Sequence, residues 1–253
     1  MATTELVRFF EERHDEIKEY VSFLQNLEKA AQGGAPRLRG TGAQITTTQT
    51  RILSSSLYLQ LYNLVEATVV RCLEEVAAAT EKAGCRPGDL SDELRTQWVR
   101  SVARTHINDL TPEKRLEAAL DLCNHLLGQE PVKGFKIDPG GGGNWDDDSI
   151  RRLCERIGCK LVISPDVFQE AKRNIRHNMG ALKLVKDRRN RLAHGSLSFV
   201  DCSDGVAVSE LKKVADAVGG YLREAVDCFE AFIRCEISDR GDPAKKKKGV
   251  LIS

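Results

Sequence analysis

The chain has 253 residues, of which 38 are Lys or Arg and 37 are Asp or Glu, so its formal net charge is +1. This balance excludes a broad basic footprint for nucleic acid, and any phosphate site must therefore be local. No apolar run is long enough to cross a membrane, and the first residues lack the basic-then-apolar plan of a signal peptide. We expect a cytoplasmic protein with no membrane partner.

Helical periodicity dominates the first third of the chain. Apolar residues recur at three- and four-residue steps from Leu6 to Leu27, which predicts a first amphipathic helix that Gly33–Pro36 ends. A polar, Thr-rich stretch from Thr41 to Thr50 leads into the next element. A second long helix is predicted from Ile52 to about Ala79, since its apolar residues keep the same spacing.

Capping residues mark the later helix starts. Ser91, Thr111 and Ser164 are candidate hydroxyl N-caps, and Pro follows the last two at the first helical position. Asp146–Asp148 place carboxylates where the positive end of a helix dipole favours them. We therefore interpret these three acids as a helix start and not as a divalent-ion site.

The C-terminal third contains two more predicted helices. The first runs from about Met179 to Ala193 and stops before Gly195, and the second runs from about Ser209 to Glu236. Between them, Leu197–Val200 and Gly205–Val208 are predicted to form either a small hairpin or an extended excursion.

Together these elements predict an all-α fold, an elaborated antiparallel helical bundle that forms a single domain over residues 1–240. The loop Pro131–Asn144, with four glycines at Gly140–Gly143, is predicted to be a flexible insertion. Residues 241–253, which contain Lys245–Lys248, are predicted to be a flexible basic tail.

The eight cysteines are scattered and include no C-x-x-C pair. Because no secretion signal is evident, we expect reduced thiols that pack as small hydrophobic groups, and not disulfides. The ligand spacing of a zinc site is also missing. The sequence therefore predicts neither a metal nor a cofactor.

The most informative run closes the first of these C-terminal helices and reads R-N-x-x-x-H-G from Arg189 to Gly195. RNA scission by the ribose 2′-OH needs proton transfer and a positive charge at the phosphorane, which an imidazole and a guanidinium supply. Asn190 lies four residues before His194, so the two share a helix face and the amide can orient the ring or a phosphate. Arg189 is rotated from His194 by roughly 140° on an ideal helix. Its side chain must reach around the helix, or a second subunit completes the site.

Further residues are candidates for supporting roles. Lys186, Arg188 and Arg191 are candidates for auxiliary phosphate contacts on the same helix. His177 lies in a basic stretch and is interpreted either as a contact to the RNA backbone or as a partly exposed residue of a basic helix face. Glu66 stands in an otherwise apolar helix and is expected to pair across the bundle, near Arg189, in a structural or a supporting catalytic role.

The run Lys183–Gly195 resembles the signature of the HEPN superfamily (higher eukaryotes and prokaryotes nucleotide-binding), and in particular the MAE-type HEPN-like nucleases of prokaryotes. The segments Gly143–Trp145, Ile150–Gly158 and Tyr62–Thr68 are also similar to that subfamily. The resemblance implies that Arg189 and His194 act across a homodimer interface, without metal, and leave 2′,3′-cyclic phosphate and 5′-hydroxyl ends on RNA. It also implies a toxin or antiviral defence effector, with an antitoxin or activator protein as a further partner.

Two other interpretations remain open. A non-catalytic HEPN module would use the same helix to bind RNA, a nucleotide or a partner protein. A purely structural helical scaffold would present Arg189–Gly195 as a solvated basic face that ends at a C-terminal glycine.

Overall fold

The computed structural model of the chain describes residues 4–103, 111–140 and 144–238. No β-strand forms within these ranges, and the predicted all-α class is confirmed. Gly141–Gly143 of the predicted insertion and Lys245–Lys248 of the predicted tail lie outside the described residues. The helices in chain order are α1 (Glu5–Gln32), α2 (Thr47–Lys82), α3 (Asp92–Val102), α4 (Pro112–Leu127), α5 (Asp147–Ile157), α6 (Pro165–Lys172), α7 (Ala181–Ala193), α8 (Phe199–Cys202) and α9 (Val208–Phe232).

Local capping explains why several helices begin and end where the sequence predicts. α1 ends at the C-cap Gly33. Ser91 caps α3 by accepting a hydrogen bond from the amide of Leu94 at 3.3 Å, and Thr111 caps α4 through the amide of Lys114 at 3.4 Å. Each cap satisfies an amide that has no carbonyl partner inside the helix. α9 ends at Phe232, before the predicted Glu236, and continues as a π-helical turn over Ile233–Ser238.

The start of α2 was predicted too late, at Ile52. The helix begins at Thr47, inside the stretch that was interpreted as a polar connection. Thr46 and Gln49 form a reciprocal capping box, in which the amide of Gln49 donates to Thr46 Oγ1 at 3.2 Å and the amide of Thr46 donates to Gln49 Oε1 at 2.8 Å. Threonine followed three residues later by glutamine is the sequence signal that reveals this start.

Ser164 precedes α6 as predicted, but its hydroxyl does not cap the helix. The Ser164 hydroxyl and amide instead donate to the two carboxylate oxygens of Glu224 on α9, each at 2.6 Å. A charged acceptor makes stronger hydrogen bonds than a neutral one, so the long-range contact replaces the local cap.

The predicted hairpin or extended excursion between α7 and α9 was wrong. Phe199–Cys202 forms the helical turn α8, and α9 begins at Val208. Ser198 caps α8 by accepting a hydrogen bond from the amide of Asp201 at 3.1 Å, and its hydroxyl donates to the Asp201 carboxylate at 2.6 Å. This capping chemistry outweighs the β-propensity of the short apolar runs on either side.

The chain divides into two compact units. Among the described residues, unit 1 comprises 4–68, 144–147 and 163–225, and unit 2 comprises 69–103, 111–140, 148–162 and 226–238. The residues of the sequence motif all belong to unit 1. A single domain over residues 1–240 stays a prediction.

In unit 1, α1 and α9 lie antiparallel. Glu11, near the start of α1, pairs with Arg223, and Glu28, near its end, accepts a hydrogen bond from the amide of Val208 at 3.4 Å. An early residue of α1 thus meets a late residue of α9, and a late residue of α1 meets the first residue of α9, as in antiparallel helices. Apolar side chains of this unit are buried, among them Leu6, Phe10, Leu24, Leu57, Leu61, Leu182, Leu184, Leu211, Val214 and Leu222.

Unit 2 has its own buried apolar core. The segment after α4 joins it through two backbone amides. The amide of Val132 donates to the carbonyl of Cys85 at 2.8 Å, and the amide of Phe135 donates to the side-chain oxygen Glu81 Oε1 at 2.6 Å. Its most deeply buried side chains include Leu73, Val76, Trp98, Ile150, Ile157 and Phe229.

Two consecutive glycines of α9 provide a matched test of the packing between α1 and α9. A Cβ added at Gly219 would clash with the imidazole of His14, which is stacked on Phe10, whereas a Cβ at Gly220 would make only an ordinary contact with Val167 at 3.9 Å. Alanine in a helix interior is favoured over glycine by about 0.8–1.0 kcal/mol. We expect Gly220→Ala to raise the free energy of unfolding and Gly219→Ala to lower it by about 1–3 kcal/mol through overpacking.

Urea unfolding of both variants measures this difference. Because the clash involves the His14 ring, the double variant Gly219→Ala/His14→Ala should be less destabilised than the sum of its two single variants. Equal stabilisation by both glycine substitutions would contradict the close approach of the two helices.

Candidate functional site

The motif lies on the last turn of α7 and just beyond it. Ala181, Leu182, Leu184, Val185 and Leu192 form the buried face of this helix. The helix ends at Ala193, and His194 is its C-cap, with its amide donating to the carbonyl of Asn190 at 2.9 Å. Gly195 follows in the left-handed region at φ +70°, which a residue without a Cβ adopts at no steric cost.

His194 is exposed because the helix stops there and the chain turns away. Its amide still makes the helical bond to the carbonyl of Asn190, four residues earlier. The residue is therefore both anchored to the helix end and accessible to solvent.

Arg189 is held on three sides by unit 1. Its Cζ lies 4.1 Å from the centroid of the Tyr62 ring on α2, Nη2 lies 3.6 Å from Glu66 Oε2, and Nη1 donates to Asn190 Oδ1 at 2.8 Å. Its side chain remains 28% exposed, so water screens these contacts but does not separate them. The guanidinium therefore has a defined position, and its side chain is still partly exposed.

Asn190 orients the arginine and not the imidazole. Its side-chain oxygen accepts from Arg189, and its Nδ2 donates to Asn144 Oδ1 at 2.9 Å. The amide oxygen and the amide nitrogen therefore each have a hydrogen-bond partner. These partners are neither the imidazole nor a phosphate, the two that the sequence offered, and the contact to Arg189 supports a role in fixing the cationic side chain.

Residues 144–147 contact the motif helix and the residues around it through hydrogen bonds and ion pairs. The amide of Trp145 donates to the Tyr62 hydroxyl at 3.1 Å, and the Trp145 side chain is buried. Asp146 pairs with Lys186 on α7, and Asp147 pairs with Lys172 at the end of α6. Asp146 and Asp147, interpreted above as part of an acidic helix start, therefore have cationic partners.

Glu66 lies on α2 and pairs with Arg189 on α7, as the sequence indicated. Tyr62 and Asn144 were assigned no role in the sequence analysis, although both lie in segments that carry the family resemblance. A signal was present, because Tyr62 and Glu66 are four residues apart and share one helix face.

Burial raises the pKa of the Tyr62 phenol, while the amide of Trp145 and the charge of Arg189 act in the opposite direction. The phenol is therefore neutral at physiological pH. A neutral ring presents its negative face to the guanidinium, which is the geometry of a cation–π contact worth about 0.5–2 kcal/mol.

The remaining predicted RNA contacts differ in their accessibility. Lys186 is paired with Asp146 and its side chain is 25% exposed, whereas the Arg191 side chain is 44% exposed with Asp187 Oδ2 at 4.0 Å. Arg188 is buried, and its Nε has no hydrogen-bond partner among the described residues. Arg191 is thus the most accessible of these three cations, and Arg188 is not positioned as a surface contact.

His177 is exposed, but it does not lie on a basic helix face, and that interpretation was wrong. His177 and Asn178 are both in the left-handed region, at φ +51° and +57°, and the amide of Met179 donates to the carbonyl of Arg176 at 2.9 Å. These contacts define a tight turn between α6 and α7. Arg176 fixes the turn by donating from Nε to Glu210 Oε1 at 2.7 Å.

None of the eight cysteines forms a disulfide. Five are buried, Cys228 is intermediate, and Cys123 and Cys235 are exposed, so the expected packing as small hydrophobic groups applies to most but not all of them. Over the described ranges, no group of three or more His, Cys, Asp or Glu side chains is arranged to hold a metal ion. Over the same part of the chain, no helix has the length and apolar character of a membrane span.

A groove of about 470 Å³ lies within unit 2. Its lining comes from α2 and from the segment around Phe135 and Ile137, and it includes Glu74 and Glu81. None of the motif residues lines it. The residues of the motif therefore lie on the surface of unit 1 around Arg189, and not in this groove.

An all-α fold with an arginine–asparagine pair and a histidine at the end of one helix defines a protein of the HEPN superfamily. More particularly, a family model described as MAE_28990-like HEPN matches residues 2–236, and the chain belongs to that family. No curated protein and no solved structure matches the chain.

The Lys186–Asp146 pair can be tested by a double-mutant cycle. The two side chains are 25% and 11% exposed, so removing either partner leaves the other poorly hydrated. We expect Lys186→Met and Asp146→Asn each to lower the free energy of unfolding, with a coupling energy of about 1 kcal/mol between them. Urea unfolding of the two single variants and the double variant measures this coupling. A coupling near zero would contradict the pairing of Lys186 with Asp146.

Proposed function

We propose that the protein is a metal-independent endoribonuclease that cuts RNA by attack of the ribose 2′-OH on the adjacent phosphate. The observation that carries this proposal is the oriented guanidinium of Arg189, five residues before an exposed imidazole at the end of the same helix. Membership of the HEPN family supports the same chemistry.

In the proposed reaction, an imidazole takes the proton from the 2′-OH, and the O2′–P bond forms as the P–O5′ bond breaks. The departing O5′ receives a proton, so the products carry a 2′,3′-cyclic phosphate and a 5′-hydroxyl. Arg189 stabilises the negative charge that gathers on the phosphorane oxygens. Glu66 pairs with Nη2 of the guanidinium. A phosphate would either compete with this carboxylate or bind to the part of the Arg189 side chain that stays exposed.

One chain supplies only one motif imidazole, whereas the reaction needs a base and an acid. We propose a homodimer in which two motifs face one cleft, so that His194 of one subunit accepts a proton and His194 of the other donates one. Arg191 and His177, which are both exposed, would supply further contacts to the RNA backbone. Because Asn190 is engaged by Arg189 and Asn144, its proposed role is to position Arg189.

The first prediction is that His194→Ala abolishes RNA cleavage while the fold is kept. His194 is exposed and at a helix terminus, so its truncation should leave the free energy of unfolding within about 0.5 kcal/mol. Labelled single-stranded RNA and tRNA are incubated with parent and variant in EDTA, and the product ends are identified. We expect cyclic-phosphate products from the parent alone.

His177→Ala is the control histidine variant, since this side chain is also exposed but lies in the turn before α7. We expect it to raise KM with little change in kcat, because it would remove a contact made equally in the ground and transition states. Undiminished cleavage by His194→Ala, or complete loss of parent activity in EDTA, contradicts the proposal. RNA binding without cleavage by the parent would favour the non-catalytic HEPN module.

We also propose that the biological role is that of a toxin or antiviral defence effector, controlled by an antitoxin or activator protein. Induced expression of the parent should then arrest growth, and His194→Ala should relieve the arrest. Harmless expression of an active nuclease would point to control by a further factor or to another role.

Subunit exchange tests the composite site. If the cleft needs His194 from both subunits, a heterodimer of the parent and His194→Ala lacks one of the two imidazoles. Mixing the parent with excess His194→Ala under subunit exchange should then lower the cleavage rate below that of the same amount of parent alone. An unchanged rate, with heterodimers demonstrated by mass spectrometry, would show that each chain cuts with its own His194.

A further inference from the structure

Tyr62 supports the guanidinium of Arg189 from α2, and its contacts exceed what core packing requires. The ring centroid lies 4.1 Å from Arg189 Cζ, and the hydroxyl accepts a hydrogen bond from the amide of Trp145 at 3.1 Å. The residue is only 2% exposed, so both contacts form away from bulk water. Packing alone would be satisfied by phenylalanine, which lacks the hydroxyl.

We propose that Tyr62 is a positioning residue for Arg189, and that the amide of Trp145 in turn fixes the Tyr62 ring. This role rests on the proposed nuclease function in one respect, because Arg189 is proposed to stabilise the phosphorane. The positioning itself is a property of the folded chain and can be measured without RNA.

The segment 144–146, which contains the amide that binds Tyr62, makes further contacts to α7. Asn144 accepts the hydrogen bond from Asn190, Trp145 donates its amide to Tyr62, and Asp146 pairs with Lys186. Two of these three consecutive residues therefore hold groups that contact the guanidinium, and the third pairs with a lysine of the same helix, α7. A displacement of this segment would move the ring and the Asn190 amide together, and Arg189 with them.

The ring and the two polar partners restrict different motions of Arg189. The Tyr62 ring restricts movement of the guanidinium toward α2, while Asn190 and Glu66 contact its terminal nitrogens at 2.8 and 3.6 Å. A planar fork needs both restrictions to present its donors at a fixed angle. Loss of the ring would keep the positive charge but allow the guanidinium to rotate. Misplacement of a catalytic group by about 1 Å can lower the reaction rate roughly 10²-fold.

Tyr58 offers a matched control on the same helix. It lies four residues before Tyr62 and is fully buried, but its hydroxyl has no hydrogen-bond partner among the described residues. Burial raises the pKa of Tyr58 to about 12, so this phenol is also neutral. Tyr58→Phe therefore removes the same atom from a similar environment without touching Arg189 or Trp145.

The experiment compares Tyr62→Met, Tyr62→Phe and Tyr58→Phe in the full chain. Methionine fills the space with a flexible apolar side chain but removes the ring, and phenylalanine keeps the ring but loses the Trp145 hydrogen bond. The first readout is the NMR signal of the Arg189 Nε–Hε group, assigned by its absence in Arg189→Lys. An aromatic face displaces this signal through its ring current.

We expect Tyr62→Met to shift this signal toward that of an exposed arginine, Tyr62→Phe to retain most of the displacement, and Tyr58→Phe to leave it unchanged. The second readout is RNA cleavage. kcat should fall about 10²-fold in Tyr62→Met and less than 10-fold in Tyr62→Phe, with KM nearly constant, because the lost interaction acts in the transition state.

An unchanged Arg189 signal and unchanged kcat in Tyr62→Met would overturn the proposal. If Tyr62→Met does not fold, Tyr62→Phe decides, since parent-like values of both readouts would overturn the role of the Trp145 anchor. If the parent cuts no RNA but the Arg189 signal responds as expected, the positioning stands and the nuclease function fails. Equal effects of Tyr58→Phe and Tyr62→Phe would reduce Tyr62 to a core residue.

Discussion

The structure around the motif depends on how a charged, planar guanidinium is held at the boundary between protein and water. Arg189 lies against the ring of Tyr62, with Glu66 and Asn190 at its edge. A fully buried cation would require complete pairing, and a fully exposed one would sample many rotamers. The intermediate position combines a fixed orientation with partial exposure to solvent.

This arrangement divides the motif into two physically different parts. Arg189 and Asn190 lie within α7 and are connected to α2 and to Asn144, so their positions follow from tertiary packing. His194 lies at the C-cap, where the helix ends and the ring meets solvent. The proposed chemistry asks for this division, since charge is stabilised at a fixed point while protons are exchanged by an accessible group.

Much of the fold was predictable because helix ends carry local chemical signals. Ser91 and Thr111 cap the helices that follow them, and Gly33 ends the first helix, as their residue types indicate. The errors arose where two local signals competed or where a distant residue intervened. Thr46 begins α2 within a polar stretch, and Ser164 binds Glu224 on α9 instead of capping its own helix.

The sequence by itself determined the helical class, the location of the motif and its residue types, because periodicity, capping and spacing are properties of neighbouring residues. Only the tertiary structure decided that Asn190 serves Arg189, that Arg188 is buried, and that Tyr62 and Asn144 belong to the site. Arg189 and Asn190 are neighbours, but the Asn190 amide is also bound by Asn144, 46 residues earlier in the chain, and Tyr62 meets Arg189 from α2. No local pattern encodes which distant side chain a residue will meet.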